Sequence, residues 1–100
     1  IALYVGGMGA KGKNFYNTLA RRYGYEDAAD KIQELYLAGR KDEAAAAVPQ
    51  EMLELTNLVG PESYVRERIE AFRAAGVTEL NVTPVGDDPV RLVEKVKDWL

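Results

Sequence analysis

The chain of 100 residues contains no cysteine and no histidine. The first absence excludes disulfides and thiolate chemistry, and the second removes the commonest acid–base catalyst and metal ligand. Any chemistry these residues perform alone falls to carboxylates, Lys, Arg, Tyr or the backbone, and no metal site is expected. An excess of positive charge is also missing. The 13 Lys and Arg are interspersed with 16 Asp and Glu, giving a net charge of -3 and a pI near 5.0. That balance argues against an electrostatic nucleic-acid footprint. No apolar run approaches the roughly 20 residues of a membrane span, and no signal-peptide pattern is present. Neither nucleic acid nor membrane is an expected partner, and the profile fits a cytoplasmic location.

Hydrophobic residues make up 47% and charged residues 29%, an ordinary composition for a globular protein. A chain of this length forms at most one small domain, burying about 60 to 68% of its unfolded surface. No internal repeat, low-complexity tract or linker interrupts it. The sequence opens at Ile1 inside an apolar run, which suggests a segment of a longer protein.

That run, IALYV at residues 1–5, ends in glycines and reads as a strand covered on both faces. From Asn14, a plausible N-cap, the period becomes helical: Phe15, Tyr16, Leu19, Ala20 and Tyr23 form one stripe, ended by Gly24. Ala28, Ala29, Ile32, Leu35 and Tyr36 form a second, stopped at Gly39. Residues 40–48 (RKDEAAAAV) have high helix propensity, and Pro49 can open a further helical segment to about Leu55. Gly60-Pro61 starts another helix, with Tyr64, Val65, Ile69 and Phe72 in its stripe and Gly76 at its end. Residues 77–82 (VTELNV) read as a second strand: Thr78, Leu80 and Val82 share one face, Glu79, Asn81 and Thr83 the other. Asp87-Asp88-Pro89 caps a last helix carrying Leu92, Val93, Val96, Trp99 and Leu100. Two strands about 70 residues apart cannot cover their own edges, so the expected class is α/β, the tail of a βα barrel or doubly wound sheet.

The glycine-rich stretch GGMGAKGKN, residues 6–14, fits two phosphate-binding patterns. Gly7, Gly9 and Gly12 give G-x-G-x-x-G, and Gly7, Gly12 and Lys13 give G-x-x-x-x-G-K, with Asn14 where a Ser or Thr belongs. A P-loop also needs that hydroxyl on magnesium and a later strand ending in Asp, whereas Asp87 and Asp88 sit at a helix start. A dinucleotide fold needs an acidic strand end about 20 residues on, where Asp30 and Glu34 lie on the polar face of a helical stripe. Two readings remain beside these: glycines that let the chain leave a strand with Lys11 and Lys13 solvated, or a functional loop without a phosphate motif. The second is favoured, and a small nucleotide-binding module using Gly7 to Lys13 stays as the alternative function. A helical interaction fragment is a third.

The combination ALYVGGMGAKGKNFYN, LARRYGYED, YLAGRKDEA, LVGPESYVRERIEAFRAAGV and LNVTPV resembles the C-terminal part of the bacterial luciferase-like monooxygenases, and among them the deazaflavin (coenzyme F-420) oxidoreductases. The similarity covers essentially residues 1–100. It implies the last two strands of a (β/α)8 TIM barrel: residues 1–6 and 77–82 as strands, 14–58 as a helical excursion, 60–75 as the intervening helix and 88–100 as the closing one. It implies hydride transfer between a deazaflavin, or alternatively FMN, and a small organic substrate, and it admits a homodimer of the parent protein. The family's ring-holding and acid–base groups lie in earlier strands, so no catalytic residue is carried over. On barrel geometry Gly6, Gly7 and Met8 would contact the cofactor at the mouth. Asn81 and Thr83 would face the lumen, as substrate lining or as an interior hydrogen-bonded pair. Tyr4 reads as lumen or core, and Arg66 and Arg68 as a solvated ion-pair face with Glu62, Glu67 and Glu70.

Overall fold

The computed structural model describes all 100 residues, and every regular element in it is a helix. In chain order these are α1 (Ala2–Gly7), α2 (Phe15–Arg22), α3 (Glu26–Leu37), α4 (Lys41–Ala46), α5 (Gln50–Thr56), α6 (Glu62–Ala74) and α7 (Pro89–Asp98). The α/β expectation is therefore overturned, because neither proposed strand forms. A short apolar run is compatible with a strand or with a buried helical turn, and what decides is where its backbone groups find partners. Residues 1–7 satisfy theirs locally, beginning with Val5 N–H donating to the Ile1 carbonyl at 2.9 Å. Residues 77–82 join no ladder; Val77 N–H only closes α6 on the Phe72 carbonyl at 3.0 Å. Without a sheet, this chain has no barrel strand and no lumen.

The helices follow their sequence punctuation. Asn14 caps α2 through its side chain, which accepts from Asn17 N–H, and Asp88 caps α7 by accepting from Arg91 N–H at 3.0 Å. Gly24 and Gly39 take φ of +96° and +81° after α2 and α3, left-handed positions that glycine occupies without a side-chain clash. Pro49 stands just before α5 as its N-cap, one position earlier than its expected place inside the helix.

The chain divides into two compact units, Ile1–Asn57 and Leu58–Leu100. In the first, α3 packs against α1, α2 and α4, and the buried core comprises Val5, Ala20, Ala29, Ile32, Ala44 and Met52. Ile32 is fully enclosed at 0% exposure, at the centre of the α3 stripe the sequence predicts. In the second unit α6 buries Ile69, while α7 buries no residue. Glu62 accepts from Lys95 at 3.1 Å, and the Arg66 guanidinium lies over the Trp99 ring, 5.5 Å from its centroid. Exposed pairs of this kind contribute about 1 kcal/mol or less each.

Tyr25, just before α3, lies near the Glu51 carboxylate of α5. Its phenol is held above the ordinary value of 10.0 by desolvation first, then by the nearby Glu51 carboxylate. A raised folded-state value favours the protonated form, so the contribution is complete below pH 10 and is lost as pH rises through the folded value. In urea unfolding the difference between the wild type and Tyr25→Phe should be constant below pH 10 and shift against the wild type as pH rises above it. A difference that stays constant as pH rises above 10 would remove this account of Tyr25.

Candidate functional site

The segment from Gly6 to Asn17 carries the buried side-chain hydrogen bonds of the first unit. Asn14 is 2% exposed and Asn17 5%, and the amide nitrogen and oxygen of each have partners. Asn14 Nδ2 donates to the carbonyls of Tyr4 (2.8 Å) and Val5 (3.2 Å), while its Oδ1 accepts from Asn17 N–H at 3.0 Å. Asn17 Nδ2 donates to the carbonyls of Val5 (3.0 Å) and Ala29 (2.9 Å), and its Oδ1 accepts from Arg21 Nε at 2.9 Å. Arg21 in turn pairs with Asp30 on α3. Sequence reasoning finds Asn14 as a cap and misses Asn17. The signal available was an asparagine three residues into the helix, flanking an apolar stripe, where a solvated polar residue is the ordinary choice.

Gly6 and Gly7 are helical residues of α1 packed against α3, not turn residues. A Cβ at Gly6 would lie 2.5 Å from Tyr36 Cβ and 3.0 Å from the Ile32 carbonyl oxygen. At Gly7 it would lie 2.4 Å from Tyr36 Cε1. The turn itself is made by Gly9 and Gly12, with φ of +155° and +82°. Met8 follows the helix and is exposed at 47%. Of the three residues expected to touch a cofactor, Gly6 is covered by Tyr36 and α3, Gly7 is half-buried and Met8 is open.

Lys11 and Lys13 are exposed and form no ion pair. The loop nevertheless lacks the features of a phosphate cradle. Lys13 N–H is occupied by the Ala10 carbonyl at 2.9 Å, the asparagine at the magnesium-ligand position is buried in its own hydrogen bonds, and a helix replaces the preceding strand. Beside the loop, Tyr4 and Tyr16 meet edge to face at 4.9 Å and Phe15 joins Tyr16 at 5.5 Å. All three are exposed, so Tyr4 fills neither a core layer nor a lumen.

Asn81 and Thr83 belong to the second unit, in a segment without regular structure, and both are exposed. The nearby cleft, between α6 and residues 77–80, is lined by Ile69, Phe72, Arg73 and Val77 among others and includes neither of them. It holds about 60 Å³, well below the roughly 300 Å³ of a small-ligand pocket. Arg66 and Arg68 lie over Trp99 and Phe72, while Arg73 takes the ion pair with Glu70. No group of acidic or other side chains is arranged to hold a metal ion. No helix is long and apolar enough to cross a membrane.

Comparison with known proteins gives these residues a context. Residues 1–79 match the sequence model of the luciferase-like monooxygenases. Over 91 residues, 91% of its length, the chain is 42% identical to a Mycobacterium tuberculosis protein whose name reads "putative coenzyme F-420-dependent oxidoreductase". The aligned part is 26% of that protein, so the chain spans about a quarter of the length of the curated relative it matches. No solved structure matches it significantly.

Proposed function

This chain belongs to the luciferase-like monooxygenase family, and from that premise we propose that it is the C-terminal portion of an oxidoreductase that passes hydride between a deazaflavin coenzyme and a small organic substrate. The observation that carries the proposal is the 42% identity to the mycobacterial protein across 91% of this chain. It favours coenzyme F-420 over FMN.

The residues present fit such a ring at one edge only. Met8 offers an exposed, polarizable thioether of the kind that packs against ring edges. Gly7 offers backbone beside it, and Gly6 serves by letting α1 approach α3. When bound, the deazaflavin supplies the hydride acceptor and donor. This chain's residues would border one edge of the ring, and none of its carboxylates or lysines is buried as a tuned acid or base would be.

The test is titration of oxidised F-420 into the intact protein and into residues 1–100 alone. The expected result is stoichiometric binding by the first and weak or absent binding by the second. Micromolar, stoichiometric binding by the isolated segment would contradict the assignment of the ring pocket to the remainder of the protein.

A further inference from the structure

Helix α1 is poorly equipped to hold its own shape. It has six residues, no side-chain cap at its start, no basic residue in its last turn and two glycines near its end. A helix this short is below the length that sustains itself, and interior glycines weaken it further. Its last carbonyls also lack intrahelical donors. Two of them, on Tyr4 and Val5, receive three N–H bonds from the buried amides of Asn14 and Asn17, at 2.8, 3.2 and 3.0 Å. Those amides are themselves fixed: Asn17 also donates to the Ala29 carbonyl and accepts from Arg21, which Asp30 holds. A polar chain thus runs from α3 through Arg21 and Asn17 to the turn of backbone just before Gly6, Gly7 and Met8.

We propose that Asn14 and Asn17 are positioning residues for the coenzyme contact: by clamping the carbonyls of Tyr4 and Val5 they fix where Gly7 and Met8 are presented. The inference rests on the reading that Gly7 and Met8 touch the coenzyme. It goes beyond the N-cap role of Asn14, because a cap needs only the Oδ1 acceptor, whereas the clamp uses the Nδ2 donors.

That difference provides the test. In Asn14→Ser the hydroxyl keeps a cap acceptor of similar quality but cannot span to Tyr4 and Val5. Asn17→Ala leaves the cap acceptor of Asn14 in place and removes the second donor to Val5, together with the bonds to Ala29 and from Arg21. In the intact protein, each variant should speed amide hydrogen exchange at residues 6–9 by about tenfold and raise the Kd for F-420 by about tenfold, the loss expected for a buried hydrogen bond. In Asn14→Ser the thermal unfolding midpoint should fall by a few degrees, and exchange in α3 should rise much less than at residues 6–9. Unchanged exchange at residues 6–9 in either variant would overturn the proposal, as would an increase shared equally by α3 in Asn14→Ser. Faster local exchange with an unaltered Kd would overturn the positioning role. If the wild type binds no F-420, the functional reading fails instead, and the exchange measurement alone then supports or rejects the clamp.

Discussion

Replacing Gly6 with alanine should destabilise the Ile1–Asn57 unit by about 2 kcal/mol, although glycine to alanine inside a helix ordinarily gains up to about 1 kcal/mol. The sign reverses because of what the new methyl meets. Its nearest neighbours would be Tyr36 Cβ at 2.5 Å and the Ile32 carbonyl oxygen at 3.0 Å, both fixed to the α3 backbone. Relief requires α1 and α3 to separate, opening the core around Val5 and Ile32. Gly7→Ala differs in kind, since its methyl would meet the ring atoms Cε1 at 2.4 Å and Cδ1 at 2.8 Å of a half-buried Tyr36. Tyr36→Ala removes the ring but keeps the Cβ. In urea unfolding of the double-mutant cycles it should therefore relieve Gly7→Ala and leave Gly6→Ala as costly as before. A neutral or stabilising Gly6→Ala would mean that α1 does not lie against α3 as described.

Truncating Ile32 should have a larger effect. It is the largest apolar side chain with no exposure, and α3 contacts α1, α2 and α4. Removing a buried branched side chain costs about 2–5 kcal/mol, the transfer term plus the cavity left behind. A unit of this size is held by only about 3–8 kcal/mol on the usual per-residue stability. Ile32→Ala is thus expected to leave a large part of the first unit unfolded at 25 °C, seen as lost far-ultraviolet helical signal and a lowered urea midpoint. Val90→Ala, at a residue 68% exposed, should shift the midpoint by no more than about 0.5 kcal/mol equivalent. Equal effects from the two substitutions would deny Ile32 its place at the centre of the core.

The helices were legible because their signals are local. Asn14 and Asp88 carry their caps on their own side chains, Gly24 and Gly39 stop α2 and α3 through backbone freedom, and the stripe around Ile32 needs only a period of 3.6. The strands were misread because a strand is not a local object. IALYV and VTELNV have strand-like composition, yet a strand exists only where a second backbone accepts its hydrogen bonds, and no other segment of this chain does so. The same dependence explains the candidate site. The glycine motif suggested a turn, but whether Gly6 bends the chain or admits a neighbouring helix depends on Tyr36, some 30 residues away. Asn17 was invisible for a related reason: its partners Val5 and Ala29 are each 12 residues distant.

Family membership, by contrast, was carried by contiguous stretches such as YVGGMGAKGKNFYN and VGPESYVRERIEAFRAAGV, and the comparisons bear that resemblance out. The proposed activity follows from it and is tested most directly by the intact protein's choice of coenzyme. Reduced F-420 and reduced FMN, each titrated under the same conditions, should give tight stoichiometric binding for the deazaflavin and much weaker binding for the flavin. Preferential binding of FMN, or binding of neither, would contradict the assignment of this chain to a deazaflavin-dependent oxidoreductase.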